Sequence, residues 1–540
     1  GRLVAQTSYI PVLLGAIPFA LQSIRDRFEA GELHPGDVII GNDPYQGNSH
    51  LPDVTIARPV FYRDQLIFWA VTKGHQADLG GGGVAGYNPR AKTVWEEGLR
   101  LPPIKLYSRG KYQRDIWDFI LLNVKSPHLV EGDLHCQIGA TLRGEEALIE
   151  LLDRHGAAAV EGAIDAYLAA TERAMAAAIK KIPDGSYAGE SRIDNDGIAF
   201  DQAPCIRVAV KVKEQNLTFD FSGSDPQTQG FVNSPFANTA SVCFQALFAC
   251  IGASIPINFG SLQLIRIVAP EGSIVHCRPP APTTASTLVT CAAIAEAIWI
   301  ALARAIPTQV QAGWGRRCAP MSAGMNPRTR RPFVCTHHNC KGGSGATEGY
   351  DGWNHTGPVS NMGGSRATDP EIFELAYPYR LFEYEFAQDT GGAGKWRGGV
   401  GAVLRWRVET PVIQCVTVGS GMREETRSFG LFGGKPGSLP IMRVIGAEAK
   451  PRELGVNRFY EISQGDVFEL TSQGGGGFGD PFERVPEQVR DDVVNGFVSI
   501  ERALEDYGVA LKTQDGEVVI DFEQTMKCRS LKKRPRELQA

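Results

Sequence analysis

Apolar and polar positions change rhythm several times along this chain, and each change predicts a different element. Leu66 to Thr72 (Leu-Ile-Phe-Trp-Ala-Val-Thr) is a run of aromatic and branched residues between polar Arg63-Asp64-Gln65 and Gly74, which predicts a buried strand. From Gln137 to Lys181 the period lengthens to that of a helix. Leu148, Leu151 and Leu152 repeat at helical spacing, and Ala163, Ala166, Tyr167 and Ala170 do so in the alanine-rich stretch Ala157 to Ile182. Pro183-Asp-Gly-Ser stops it. Alternation returns in Ile206-Arg-Val-Ala-Val-Lys-Val and Leu217-Thr-Phe-Asp-Phe, which predict a hairpin across Lys213-Glu-Gln-Asn. Leu288 to Ala305 is the most apolar helical candidate. It contains Glu296 and Arg304 and falls short of about 20 apolar residues, so it reads as a core helix rather than a membrane span. From about residue 312 to 480 glycine is so frequent that short strands joined by tight loops are expected, followed by a short helix near Ser499 to Tyr507.

These rhythms predict an α+β chain of several domains: mixed sheets, a helical segment and a glycine-rich, β-rich C-terminal half. By texture it divides into 1–135, 136–185 (helical), 186–311 (hairpin and core helix), 312–485 (glycine-rich) and 486–540 (a helix and a basic tail). The tail from 528 to 540, with Lys532-Lys-Arg, is expected to be mobile, and so short a run without aromatic partners does not predict nucleic-acid binding. At 540 residues and 43% hydrophobic content the chain can bury sizeable cores, and a net charge of -5 offers no general attraction to nucleic acid or anionic lipid. Eleven dispersed cysteines argue against a secreted disulfide scaffold, no signal peptide is evident, and a cytoplasmic enzyme is expected. Cys335-Thr-His-His-Asn-Cys340 has no second ligand pair at finger-like spacing and reads as structural.

The candidate chemistry lies early. Gly41 to Asp53, then Gly74 to Gly80, hold Asp43, His50, Asp53, His75 and Asp78 in loop sequence around the predicted strand. Pro44, Gly47 and Pro52 exclude a regular helix, so His50 and Asp53 are expected on irregular chain, with His75 emerging at the strand's end. Two imidazoles and a carboxylate suit zinc, manganese or iron(II), with open positions for water or substrate, and one more carboxylate would complete the protein's share. The competing reading is that both histidines merely hydrogen-bond loop carbonyls. Asp43 either shapes a turn or ligates. Asp78 is a candidate proton acceptor, also able to orient the His75 imidazole, and of the adjacent acids Glu96 and Glu97 either one reaches the site as a base or both form a solvated loop face. Arg100 either clamps an anionic group or pairs with an acidic neighbour. The glycine runs 342–349 and 474–479 lack the Lys-Ser/Thr ending of a phosphate loop, so no nucleotide site is expected in this chain.

Several phrases together resemble the B subunits of the hydantoinase/oxoprolinase family. They are Asn42-Asp-Pro-Tyr, Gly47 through Asp53-Val-Thr, His75-x-x-Asp-Leu-Gly-Gly, Glu97-Gly-Leu-Arg-Leu-Pro-Pro103 and Gly132-Asp-Leu. At the far end stand Asp389 to Gly401, Gly474 to Pro481 and Val498 to Val509. The resemblance implies that His50, Asp53 and His75 are metal ligands, with a further aspartate expected upstream of the segment 1–6, or Asp43 or Asp78 in its place, and it favours Glu97, within its Glu-Gly-Leu-Arg phrase, as a catalytic carboxylate beside Asp78. It also implies a hetero-oligomer with an A subunit that binds ATP, and the opening of a small cyclic amide. Related large subunits of ketone carboxylases keep carboxylation open as an alternative, because Arg278-Pro-Pro-Ala-Pro-Thr-Thr-Ala-Ser-Thr287 departs from the expected hydantoinase pattern. A non-catalytic scaffold is the third reading.

Overall fold

The computed structural model describes residues 1–532 apart from 8–9, 30, 253, 338, 362–365 and 447–449. Its first sheet runs β3-β2-β1-β4-β5, all antiparallel, from β1 (Val38–Gly41), β2 (Asp53–Tyr62), β3 (Gln65–His75), β4 (Ile104–Ser108) and β5 (Lys111–Tyr112). Both faces are covered. Val38, Ile40, Val54 and Ile56 pack with Trp117, Ile120, Val130 and Leu134 of two helices on one side. Ile39 and Ala57 pack with Leu21 and Ile24 of the helix Ile17–Arg27 on the other. Alternate residues of a strand point to opposite faces, so neighbours Val38, Ile39 and Ile40 serve two cores.

The helical stretch begins earlier than its periodicity predicts, at Pro127, and runs to His155. Proline suits a first helical turn because its missing N–H would be unpaired there anyway. Gly156, at φ 79°, then breaks the chain into a second helix, Ala157–Ile179. The hairpin forms as Cys205–Lys213 and Asn216–Asp220, with Gly185–Arg192 beside the first strand and Ile265–Val268 parallel to the second. Against this sheet lies the core helix, Cys291–Leu302, preceded by a wide π-turn at Ser286–Thr290. Its one acid, Glu296, is buried and held by Arg316 at 2.5 Å.

Two further sheets build the C-terminal half. One pairs Cys318–Asn326 with Arg331–Cys335 and Val412–Gly419, and Val412–Gly419 with Arg458–Ser463. The other is ordered around Ala402–Val408 and Val467–Thr471. Cys415 and Ile413 of the first share a core with Trp406 and Phe468 of the second. The glycines at 474–477 lie outside the turns, and none carries a positive φ. Their N–H groups bond carbonyls of neighbouring segments, Gly475 to Gly399 at 2.9 Å and Gly476 to Gly313 at 2.8 Å. A Cβ on Gly475 would stand 1.9 Å from the Ser344 carbonyl oxygen, so only glycine fits between the backbones.

The whole is α+β, and its largest core draws on side chains from Val12 to Phe478, across most of the divisions that texture suggests. The start of the expected tail is helical, within Phe522–Lys532; residues 533–540 lie outside the described ones. Among the described residues no helix is long and apolar enough to cross a membrane.

Candidate metal centre

Backbone pins come first. Asn42 donates to the carbonyls of Leu51 and Leu99, both at 2.9 Å, and accepts from Leu101 N–H, which ties the loop 42–53 to the chain before β4. Gly47 turns at φ 91°, where a Cβ would meet the Phe19 carbonyl carbon at 2.4 Å. Asn48 then bonds back to the Gly41 carbonyl at 3.2 Å. The loop therefore re-enters the sheet at a set point, and Asp53 is not on irregular chain as its flanking prolines suggest. It is the first residue of β2, directly opposite His75, the last residue of β3. A turn with Asp53 N–H bonded to the His50 carbonyl brings His50 alongside.

Three ligand atoms converge there. Asp53 Oδ1 lies 2.9 Å from His50 Nε2 and 3.1 Å from His75 Nδ1, and the two ring nitrogens are 3.2 Å apart. Metal bonds of about 2.1 Å to one tetrahedral or octahedral ion would hold neighbouring donors roughly 3.0–3.4 Å apart, so the set fits a single ion. His50 Nδ1–H donates to the Thr284 carbonyl at 2.7 Å, which leaves Nε2 with its lone pair towards the site. Ser49 Oγ donates to Asp53 Oδ2 at 2.5 Å and fixes which carboxylate oxygen faces the histidines. Burial pushes the Asp53 carboxyl up, but the charge and hydrogen bond of His50, and those of His75, outweigh it and hold the group well below the usual carboxylate range. His50 and Asp53 are buried, while the His75 side chain is 30% exposed, so the centre opens on its side. Among the described residues no other group of three histidines, cysteines or acids converges in this way.

The other candidates lie nearby with their oxygens engaged. Asp78 accepts from Gly80 N–H at 2.9 Å and from the backbone N–H groups of Lys125 and Ser126, so it holds the chain that leads into the helix Pro127–His155 rather than reaching His75. Asp43 accepts from Tyr45 N–H and pairs with Arg100 at 2.8 Å, the local role for both residues. Glu97 accepts from Thr283 N–H and Thr284 N–H at 2.8 and 2.7 Å, and thereby holds the strand of chain whose Thr284 carbonyl orients His50. Burial pushes the Glu97 carboxyl up to about 7, against backbone hydrogen bonds that favour its charge.

Because the folded chain binds the Glu97 proton more tightly than an unfolded chain with the ordinary value of 4.5, this group's contribution to stability falls as pH rises from about 4.5 through about 7. Glu97→Gln removes that slope. Denaturation midpoints at about pH 5 and about pH 8 should differ less in the variant than in the wild type; an equal difference in both would count against this assignment.

Local sequence gives no signal for Tyr87, and it marks Thr284 and Thr287 only as members of the segment 278–287 that departs from the expected pattern. Thr287 Oγ1 lies 3.3 Å from His50 Nδ1, and Ser286 Oγ donates to the Ser49 carbonyl at 3.0 Å. The Tyr87 ring lies 6.2 Å from both histidine rings, and burial keeps its phenol protonated. Lys73, whose ammonium donates to Asn48 Oδ1 at 2.5 Å, is lowered to about 8 by burial despite the nearby Asp53 charge.

The family model of hydantoinase B/oxoprolinase matches residues 1–481. The chain belongs to this family. It is 33% identical to the caprolactamase subunit beta of Pseudomonas jessenii, over 94% of this chain and 88% of that one. The crystal structure of the ATP-dependent caprolactamase from Pseudomonas jessenii superposes with a TM-score of 0.90 at 32% identity, covering 98% of this chain and 91% of that one. A nucleotide-free acetone carboxylase structure gives a TM-score of 0.91 over 100% of this chain and 78% of that one; at 20% identity it shares the fold alone. As a member of this family the chain has an α+β fold common to amidase and carboxylase relatives, so the fold does not choose between them.

Proposed function

We propose that this chain is the metal-dependent subunit of an ATP-dependent cyclic amidase, opening a lactam or hydantoin ring that a partner subunit has activated. The observation that carries the reading is the convergence of His50 Nε2, Asp53 Oδ1 and His75 Nδ1 within 3.2 Å, with Thr284 setting the His50 tautomer. The likeness to the caprolactamase subunit beta supports a cyclic amide as substrate.

His50, Asp53 and His75 would hold one divalent cation, zinc, manganese or iron(II). When bound, such an ion supplies Lewis acidity and brings the acidity of water towards neutral pH. The chain's own residues do the rest. Thr284 and Ser49 keep the ligand atoms aimed, and Glu97 keeps Thr284 in place. The partly exposed edge of His75 leaves room for the amide carbon, and Tyr87, protonated beside both histidines, is a hydrogen-bond donor for an oxygen or nitrogen of the opening ring. Glu97 and Asp78 act as positioning residues, through the backbone they hold.

Activation falls to a hydantoinase A-type partner that binds ATP, since neither glycine run here ends as a phosphate loop does. The pure chain should show no stoichiometric ATP binding by calorimetry. With the copurified partner, ATP turnover should depend on a lactam or hydantoin from a panel that also contains ketones with bicarbonate. Micromolar ATP binding by the chain alone would overturn the division of labour, and ketone-dependent turnover would overturn the substrate class.

A further inference from the structure

Five arginines are buried among the described residues: Arg58, Arg316, Arg317, Arg397 and Arg484. Four of them have a carboxylate partner, Glu145 at 3.3 Å, Glu296 at 2.5 Å, Asp492 at 3.2 Å and Asp351 at 2.7 Å for Arg58, Arg316, Arg397 and Arg484 respectively. Arg317 has none among the described residues. The residue is 7% exposed, Nη2 donates to the Thr336 carbonyl at 2.8 Å, and the Nε–H is buried without an acceptor among the described residues. A guanidinium keeps its charge, and a buried charge without a counter-charge is strongly disfavoured unless something supplies one.

The position of Arg317 says where that something would come from. It stands just before the strand Cys318–Asn326, and alternation along extended chain separates it from Arg316, which faces Glu296 and Ser191. Burial disfavours the Arg317 charge, and its electrostatic neighbours are Cys340, Tyr87, Cys318 and Cys335; Tyr87 is the residue whose ring lies 6.2 Å from both His50 and His75. The C-terminal half thus places a guanidinium without a carboxylate partner among the described residues within electrostatic reach of Tyr87, beside the metal centre.

We propose that Arg317 binds an oxyanion, a phosphoryl or carboxylate group, carried by the substrate at this centre. A guanidinium edge with a free Nε–H matches the paired oxygens of either group, which an ammonium does not. The inference rests on the metal-centre reading for the location of the substrate, but the binding of an anion does not depend on a metal. The two sources are a phosphoryl group placed on the amide by the activating step, and a carboxylate native to the substrate.

Calorimetric titration of the full chain with inorganic phosphate and, separately, with acetate tests this, in wild type, Arg317→Met and Arg317→Lys, each metal-loaded and chelated, with circular dichroism as the check of folding. Wild type should bind at least one anion, with affinity lowered about tenfold or more in Arg317→Met and by less in Arg317→Lys, which keeps the charge and loses the fork. Preference for phosphate assigns the phosphoryl source, and equal or better binding of acetate assigns the carboxylate. No anion binding in wild type, or equal binding in wild type and folded Arg317→Lys and Arg317→Met, overturns the proposal. Anion binding should persist in the chelated chain; a wild type that binds the anion but takes up no added metal would keep Arg317 in place and overturn the metal-centre reading alone.

Discussion

With His50 and His75 both replaced by alanine, the purified chain is expected to carry no stoichiometric divalent metal, where the wild type carries about one equivalent per chain. Two of three converging donors are lost, and Asp53 alone, already engaged by Ser49, cannot hold an ion in competition with water. The fold should survive, because β2 and β3 pair along ten registered positions and only their last pair includes a ligand histidine. The glycine-packed half makes none of its backbone bonds through either residue. Elemental analysis reads the metal and circular dichroism the fold. Turnover with the partner should fall by at least the roughly 10²–10³-fold that one electrostatic stabiliser contributes to a reaction. Full metal content in the double variant would defeat the site. Metal lost with turnover kept would make the ion structural and favour a scaffold role.

Solvent oxygen should appear in the ring-opened carboxylate when the assembled complex turns over in oxygen-18 water, and labelled bicarbonate should leave nothing in the product. Hydrolysis of an amide breaks its C–N bond and takes the new carboxylate oxygen from water, with the proton going to the departing nitrogen. Carboxylation forms a C–C bond and takes its carbon from bicarbonate. The outcomes exclude each other, so the effect is all or none. The reading favours water because the 33% identical relative is a caprolactamase subunit, whereas the carboxylase likeness, at 20% identity, concerns the fold only. The segment 278–287 that departs from the expected pattern lies over the centre, with Thr284 and Thr287 on His50, which is why the test bears on it directly. Bicarbonate-dependent turnover that leaves stable label in the product would sink the amidase assignment.

Periodicity is a local property, and most of the elements it predicts are where it places them, although the helical stretch starts earlier, at Pro127, and is broken at Gly156. Leu66 to Thr72 lies inside β3, the alternating segments form their hairpin, and Leu288 to Ala305 encloses the core helix Cys291–Leu302. The residue types of the candidate centre are legible too, since His50, Asp53 and His75 stand in one short span and imidazole and carboxylate are metal-ligating groups wherever they occur. What each polar atom faces is not legible. Asp53 meets His75 because of the register of β2 on β3, and the His50 tautomer is set by a carbonyl 234 residues away. Asp78 and Glu97 read equally well as proton acceptors until the folded chain presents backbone N–H groups to them, at 125–126 and at 283–284. A buried polar group must be paired, but sequence does not say with what. In this chain that choice belongs to contacts between distant segments, which only the tertiary structure decides.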